Sequence, residues 1–144
     1  MPFSFKKNKI ATIETITKNN QLLGLNLNYN TLNATLYLTY NNLDNNLQTY
    51  LSEAKSITQK HAQMAREVSE RAFENETTKT FGKLYELSGP VASQLQFYIS
   101  DNKKHFLSGA LYFKTRPNYD SILPAVDYVK NDIVKLMESI HWRN

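Results

Sequence analysis

The run KHFLSGALYFK, Lys104 to Lys114, constrains the fold more than any other stretch, because apolar residues occupy both of its alternating faces. One face carries His105, Leu107, Gly109, Leu111 and Phe113, and the other carries Phe106, Ser108, Ala110 and Tyr112. A strand with two apolar faces lies inside a sheet that is covered on both sides. The sequence therefore predicts a central strand here. The glycine within it predicts a bulge or the close approach of a helix.

Period-two alternation predicts the remaining strands, and short polar turns such as Lys18–Gln21 separate the first of them. These strands are expected at Lys9–Thr17, Gly24–Tyr29, Asn33–Tyr40, Glu67–Phe73, Thr80–Leu87 and Ser93–Ile99.

Helical spacing of apolar residues predicts two helices, one from Leu43 to Ala65 and one from about Asp120 to Ile140. Pro124 fits the second helix only in its first turn, which places the cap at Asn118 to Ser121. The order of three strands, a helix, four strands and a helix predicts an α+β fold: a mainly antiparallel sheet of about six to seven strands flanked by two long helices. At this length one domain is expected, residues 1–144, with residues 1–8 as an N-terminal arm.

Several classes of functional site are excluded by what the sequence lacks. It has no cysteine, which excludes thiol nucleophiles and cysteine zinc sites, and its three histidines form no HExxH motif. The four glycines are too far apart to form a phosphate-binding loop. The net charge of +4 is mild, and no nucleic-acid-binding motif accompanies it. We therefore expect no catalytic, cofactor-binding or metal-binding residues, and no nucleic-acid partner.

His105 is the residue on which the choice between an enzyme and a binding module depends. It follows a polar turn that contains Asp101, so a hydrogen bond between the two could simply fix the hairpin. The alternative is an enzyme with a cryptic site around His105, Asp101 and the loop Arg116–Asn118. A catalytic histidine needs a nucleophile or an orienting carboxylate. No nucleophile motif occurs in the chain, so the structural interpretation is favoured.

Motifs along nearly the whole chain carry a resemblance to a known family. They are Pro2–Phe5, Leu43–Leu47, Lys60-His61, Tyr85 before Gly89, Gln96-Phe97, Asp101, His105-Phe106, Gly109–Phe113, Pro117-Asn118, Asp120-Ser121, Pro124 and Trp142. In this order and spacing, the chain resembles the gliding motility-associated lipoprotein family GldD.

This resemblance implies a lipid-anchored, periplasm-facing protein of the cell envelope, required for gliding and for the linked type IX protein secretion system. It implies a protein-interaction domain without a known enzymatic activity, whose partners are other proteins of that machinery. The membrane is reached through an N-terminal lipid, so we expect the gene to continue upstream of Met1 into a signal peptide with a lipidated cysteine. The fold is similar, by analogy only, to the PsbP/Mog1-type sandwich.

Six residues are the candidate interaction or structural positions. They are Asp101, His105, Arg116, Asn118, Asp120 and Trp142.

Overall fold

The computed structural model describes residues 2–114 and 119–143, apart from the side chain of Tyr119. Its elements follow one another along the chain as β1 (Phe3–Ser4), β2 (Thr12–Lys18), β3 (Gln21–Tyr29), a 3-10 turn (Asn30–Leu32), β4 (Ala34–Asn42), α1 (Leu47–Ala62), β5 (Val68–Asn75), β6 (Thr80–Leu87), β7 (Leu95–Ser100), β8 (His105–Phe113), α2 (Tyr119–Ser139) and β9 (His141–Trp142).

Seven strands form one antiparallel sheet in the order β2-β3-β4-β8-β7-β6-β5. The α+β class and the antiparallel sheet are confirmed. β8 lies at the middle of the sheet, and Leu107 and Leu111 on it are fully buried. β8 is therefore the central strand that the apolar residues on both of its faces predicted.

The two helices cover opposite faces of the sheet. Tyr50 and His61 of α1 contact Phe106 and Tyr112 of β8. α2 packs on the face of Leu107 and Leu111, where the main hydrophobic cluster lies. That cluster contains, from α2, Ile122, Val126, Val129, Ile133, Leu136 and Met137. The α1 face is less tightly covered, since Thr58 is the buried residue of that helix.

The prediction for α1 needs correction at its start, whereas the predicted start of α2 is right to within one residue and only the position of Pro124 needs correction. α1 begins at Leu47 rather than Leu43, because β4 continues to Asn42 and pairs there with His105. α2 begins at Tyr119, so Pro124 lies in its second turn and not in the first. A proline there removes one intrahelical hydrogen bond. The long apolar stripe of α2 packed on the sheet compensates for that loss.

Gly109 is explained by a neighbouring side chain, not by a bulge or a helix. It pairs directly with Phe97 of β7, whose ring lies over the glycine. A Cβ at residue 109 would lie 2.8 Å from Phe97 Cζ and 2.8 Å from Leu38 Cδ2. Only a glycine leaves room for this ring.

The two ends of the described chain pair with each other. Phe3 of β1 is opposite Trp142 of β9, and the Phe3 side chain is fully buried. The backbone N–H of Lys6 donates to Ser139 Oγ at 2.9 Å, which holds the N-terminal segment against the end of α2. The first residues are thus packed onto the domain.

Candidate functional site

The turn before β8 is organised by one carboxylate. Asp101 Oδ1 accepts hydrogen bonds from the backbone N–H groups of Lys103 at 3.0 Å, Lys104 at 2.9 Å and His105 at 2.9 Å. Asn102 adopts a positive φ of 64°, a conformation that asparagine tolerates. Partial burial would raise the pKa of the Asp101 carboxyl, but the backbone donors outweigh burial and hold its pKa below the usual value.

The imidazole of His105 is hydrogen-bonded to a tyrosine and not to this carboxylate. His105 is 4% exposed, and its Nδ1 lies 2.6 Å from the Tyr40 hydroxyl. That hydroxyl donates to Asn42 Oδ1 at 2.9 Å, so it accepts the proton of His105 Nδ1. Burial, and next the charge of Asp101, raises the pKa of Tyr40 to about 12. The phenol is therefore neutral at physiological pH.

The indole of Trp142 covers the other side of the imidazole. The two rings are nearly parallel, at 11°, with centroids 5.1 Å apart. Phe3 contacts the same indole edge-on, at 6.2 Å between centroids. Within the described residues, neither His105 Nε2 nor Trp142 Nε1 has a hydrogen-bond partner, although both atoms are buried. This unpaired nitrogen of His105 is enclosed by aromatic rings.

The arrangement does not form a carboxylate–histidine dyad. Neither ring nitrogen is bonded to Asp101: Nδ1 of His105 is paired with Tyr40, and Nε2 has no partner among the described residues. Next to the turn, Asp101, Lys104 and Trp142 line an open depression of about 740 Å³, while His105 lies beneath it and does not line it. The geometry suits a rigid hairpin better than an acid–base site.

The six candidate residues divide into three groups. Asp101, His105 and Trp142 come together at the turn before β8. Asp120 lies in the first turn of α2, where a carboxylate suits the helix dipole. Trp142 follows the far end of this 21-residue helix, which separates it from Asp120 by about 30 Å at 1.5 Å per residue. Arg116 and Asn118 lie outside the described residues.

Sequence reasoning missed Tyr40, the hydrogen-bond partner of the imidazole, and Asn42, which accepts the hydrogen bond of the Tyr40 hydroxyl. Both stand on β4, and Asn42 is opposite His105 in the register. The signal in the sequence was the tyrosine at the end of an otherwise aliphatic face, since a buried tyrosine hydroxyl usually has a hydrogen-bond partner.

In the part of the chain that the structure describes, no three histidine, cysteine or acidic side chains are grouped so that they could hold a metal ion. Among those same residues, neither helix combines the length and the apolar character needed to cross a bilayer.

Comparison with known proteins identifies one family. The model of the family described as "gliding motility lipoprotein GldD" matches residues 1–142. No curated protein and no solved structure matches the chain.

Proposed function

This chain belongs to the gliding motility lipoprotein GldD family, and we propose from that premise that it is a non-catalytic protein-interaction domain of the cell envelope. In this proposal it serves the gliding motility machinery and the type IX protein secretion linked to it. A lipid ahead of the described residues anchors it, and the domain faces the periplasm. The observation that carries the proposal is the match of the family over residues 1–142.

An exposed edge strand supports an interaction role. Among the residues that the structure describes, β2 pairs with β3 alone, and all seven residues of β2 are exposed. Ile13 and Ile16 on it are 44% and 41% exposed, and Leu23 on β3 is 45% exposed. Unpaired backbone groups at a sheet edge are a template for a strand from another chain. The partner that fits is a protein of the same machinery that offers an extended, partly apolar segment.

The enzyme alternative around His105 and Asp101 has weaker support. Its base is 4% exposed beneath Trp142, so the indole would have to move before a substrate could reach the imidazole. A general base must reach a proton of its substrate. The edge strand needs no such rearrangement.

The proposal is tested in the host bacterium by replacing the gene with an Ile13→Lys variant. A charge on the exposed face of β2 should abolish gliding and type IX secretion while the purified domain keeps its thermal stability. Val68→Lys is the matched control, because Val68 is 48% exposed on β5 at the opposite edge of the sheet. This control should glide normally.

Two results would contradict the proposal at different levels. Normal gliding and secretion by a strain that lacks the gene would refute a role in the machinery. Loss of function in the deletion strain, together with normal function of Ile13→Lys, would place the interaction surface elsewhere than on β2.

A further inference from the structure

Between α1 and the sheet lies a small cleft of about 220 Å³, which we call the tyrosine cleft. Its walls are the four tyrosines Tyr37, Tyr85, Tyr98 and Tyr112. The sheet register explains the hollow: Ala110 pairs with Tyr37 on one side and with Gln96 on the other, and Gln96 pairs with Tyr85. A small residue thus stands between larger ones along a single row.

Gln96, one of the residues that line the tyrosine cleft, carries a buried polar atom that lacks a partner among the described residues. Gln96 is 3% exposed, and its Nε2 donates to the backbone oxygen of Ser93 at 2.9 Å. Its Oε1 is buried and accepts no hydrogen bond from the described residues. A buried acceptor without a hydrogen bond destabilises the fold unless another group donates a hydrogen bond to it. A bound group that donates an N–H or O–H would satisfy it.

All the residues that line the tyrosine cleft are uncharged. Burial raises the pKa values of Tyr85, Tyr98 and Tyr112, so these phenols stay neutral at physiological pH. A charged ligand would lose its hydration here without meeting an opposite charge. The tyrosine hydroxyls, with those of Thr58 and Ser108, can each donate and accept a hydrogen bond. The lining therefore favours a neutral ligand with hydroxyl-like groups.

The size and position of the tyrosine cleft favour a single ring over a peptide. Pockets for drug-sized molecules measure about 300 to 1,000 Å³, so this space admits something smaller. An extended peptide is usually held by an unpaired strand edge. The strands beneath the cleft, β4, β8, β7 and β6, are all paired on both sides. No strand edge is available there for an extended peptide.

We infer that the tyrosine cleft binds one neutral sugar residue, with a ring hydroxyl or acetamido N–H donating to Gln96 Oε1 and the tyrosine rings packing on the apolar ring faces. This site is distinct from the β2 edge and does not depend on the proposed function.

The test is calorimetric titration of the purified chain with glucose, galactose, mannose and N-acetylglucosamine. We expect at least one of them to bind with a Kd in the millimolar range, as befits a ligand of this size. Glucuronic acid, a charged ring of similar size, should bind at least tenfold more weakly than glucose if glucose is a ligand. The capped residue N-acetylglutamine amide is the peptide-like probe and should not bind.

Three variants locate the binding in the tyrosine cleft. Gln96→Met removes the unpartnered oxygen at nearly constant volume and should weaken binding about tenfold, the effect of one hydrogen bond. Ala110→Leu fills the hollow and should abolish binding in a chain that still unfolds cooperatively. Tyr50→Phe is the control on the same face of α1, because Tyr50 stacks on Phe106 outside the cleft. It should bind like the unaltered chain.

Each contrary result overturns the inference. If no sugar binds, the space holds only water. Binding that persists in Ala110→Leu places the sugar elsewhere, and binding of the capped glutamine without any sugar identifies a peptide site.

Discussion

Asp101 and His105, at the two ends of the turn before β8, have different hydrogen-bond partners, and these determine how the fold responds to substitution. The Asp101 carboxylate fixes the backbone of the turn, whereas Tyr40 fixes the imidazole of His105. The two residues are four positions apart in the sequence, yet Asp101 stabilises the turn itself and His105 connects β8 to β4. Changes at either residue should therefore affect stability before they affect any activity.

His105→Gln should lower the free energy of unfolding by about 1 kcal/mol through the lost bond to Tyr40. Gliding and secretion should be kept, since the imidazole is buried and its contacts are with Tyr40 and Trp142 inside the domain. Urea unfolding and a motility assay of the same variant check both expectations. His141→Gln, at an exposed histidine on β9, is the control. Full stability with complete loss of motility would put His105 in a working site.

Asp101→Asn should destabilise the chain in a pH-dependent way. The folded-state pKa of Asp101 is below its usual value, so the charge stabilises the fold above the unfolded-state pKa of about 4. This contribution is lost as the pH falls through the folded-state pKa. The two proteins should differ by about 1 kcal/mol at pH 7 and converge in acid.

Chemical unfolding at several pH values measures this difference. The exposed Asp127→Asn on α2 is the control and should stay within about 0.5 kcal/mol of the parent chain throughout. A difference for Asp101→Asn that is constant with pH would mean that the carboxylate charge plays no part.

At the scale of elements, β7 and β8 are fitted to each other through Phe97 and Gly109. Gly109→Ala should cost about 1 to 3 kcal/mol, because its Cβ would collide with the Phe97 ring. Adding Phe97→Leu should recover part of that loss, so the double variant should be more stable than the sum of the single effects. Ser108→Ala, beside it on the half-buried face, is the control. Simple additivity in denaturant unfolding would contradict the direct contact.

The helices and strands were predictable wherever a single local sequence pattern determines the secondary structure. Period-two alternation indicated the strands of the large sheet, and Lys18–Gln21 forms the expected turn, with positive φ at Asn19 and Asn20. The start of α2 was predicted to within one residue, but Pro124 was wrongly expected in its first turn, because a rule of local helix preference was applied to a helix that is held by packing. A local sequence pattern does not show whether the packing of a helix compensates for the hydrogen bond that a proline removes.

The sites were less predictable than the elements, since they depend on residues far apart in sequence. Tyr40 and His105 are separated by 65 positions, and only the β4–β8 register brings them together. The tyrosine cleft likewise requires α1 to cover a particular row of the sheet. Gln96 is a polar residue at an alternating position of β7, and the residues next to it in the sequence do not indicate that it is buried.

At the scale of the whole molecule, the pairing of β1 with β9 is part of the core. Phe3→Ala should cost about 3 to 5 kcal/mol, since this ring is fully buried against Tyr40 and Trp142. Trp142 is the single tryptophan, so its fluorescence reports this region directly during unfolding. Phe5→Ala, at a partly buried ring, should cost less. A loss below about 1 kcal/mol for Phe3→Ala would mean that the two ends separate before the sheet unfolds.

The pairing of Phe3 with Trp142 also determines which side of the domain lies nearest to an attachment ahead of Pro2. A lipid carried ahead of Pro2 would tether the molecule beside Trp142 and the His105 hairpin. The opposite tips of β4 and β8, where Ala34 pairs with Phe113, would then stand about 27 Å farther out, at 3.3 to 3.4 Å per residue.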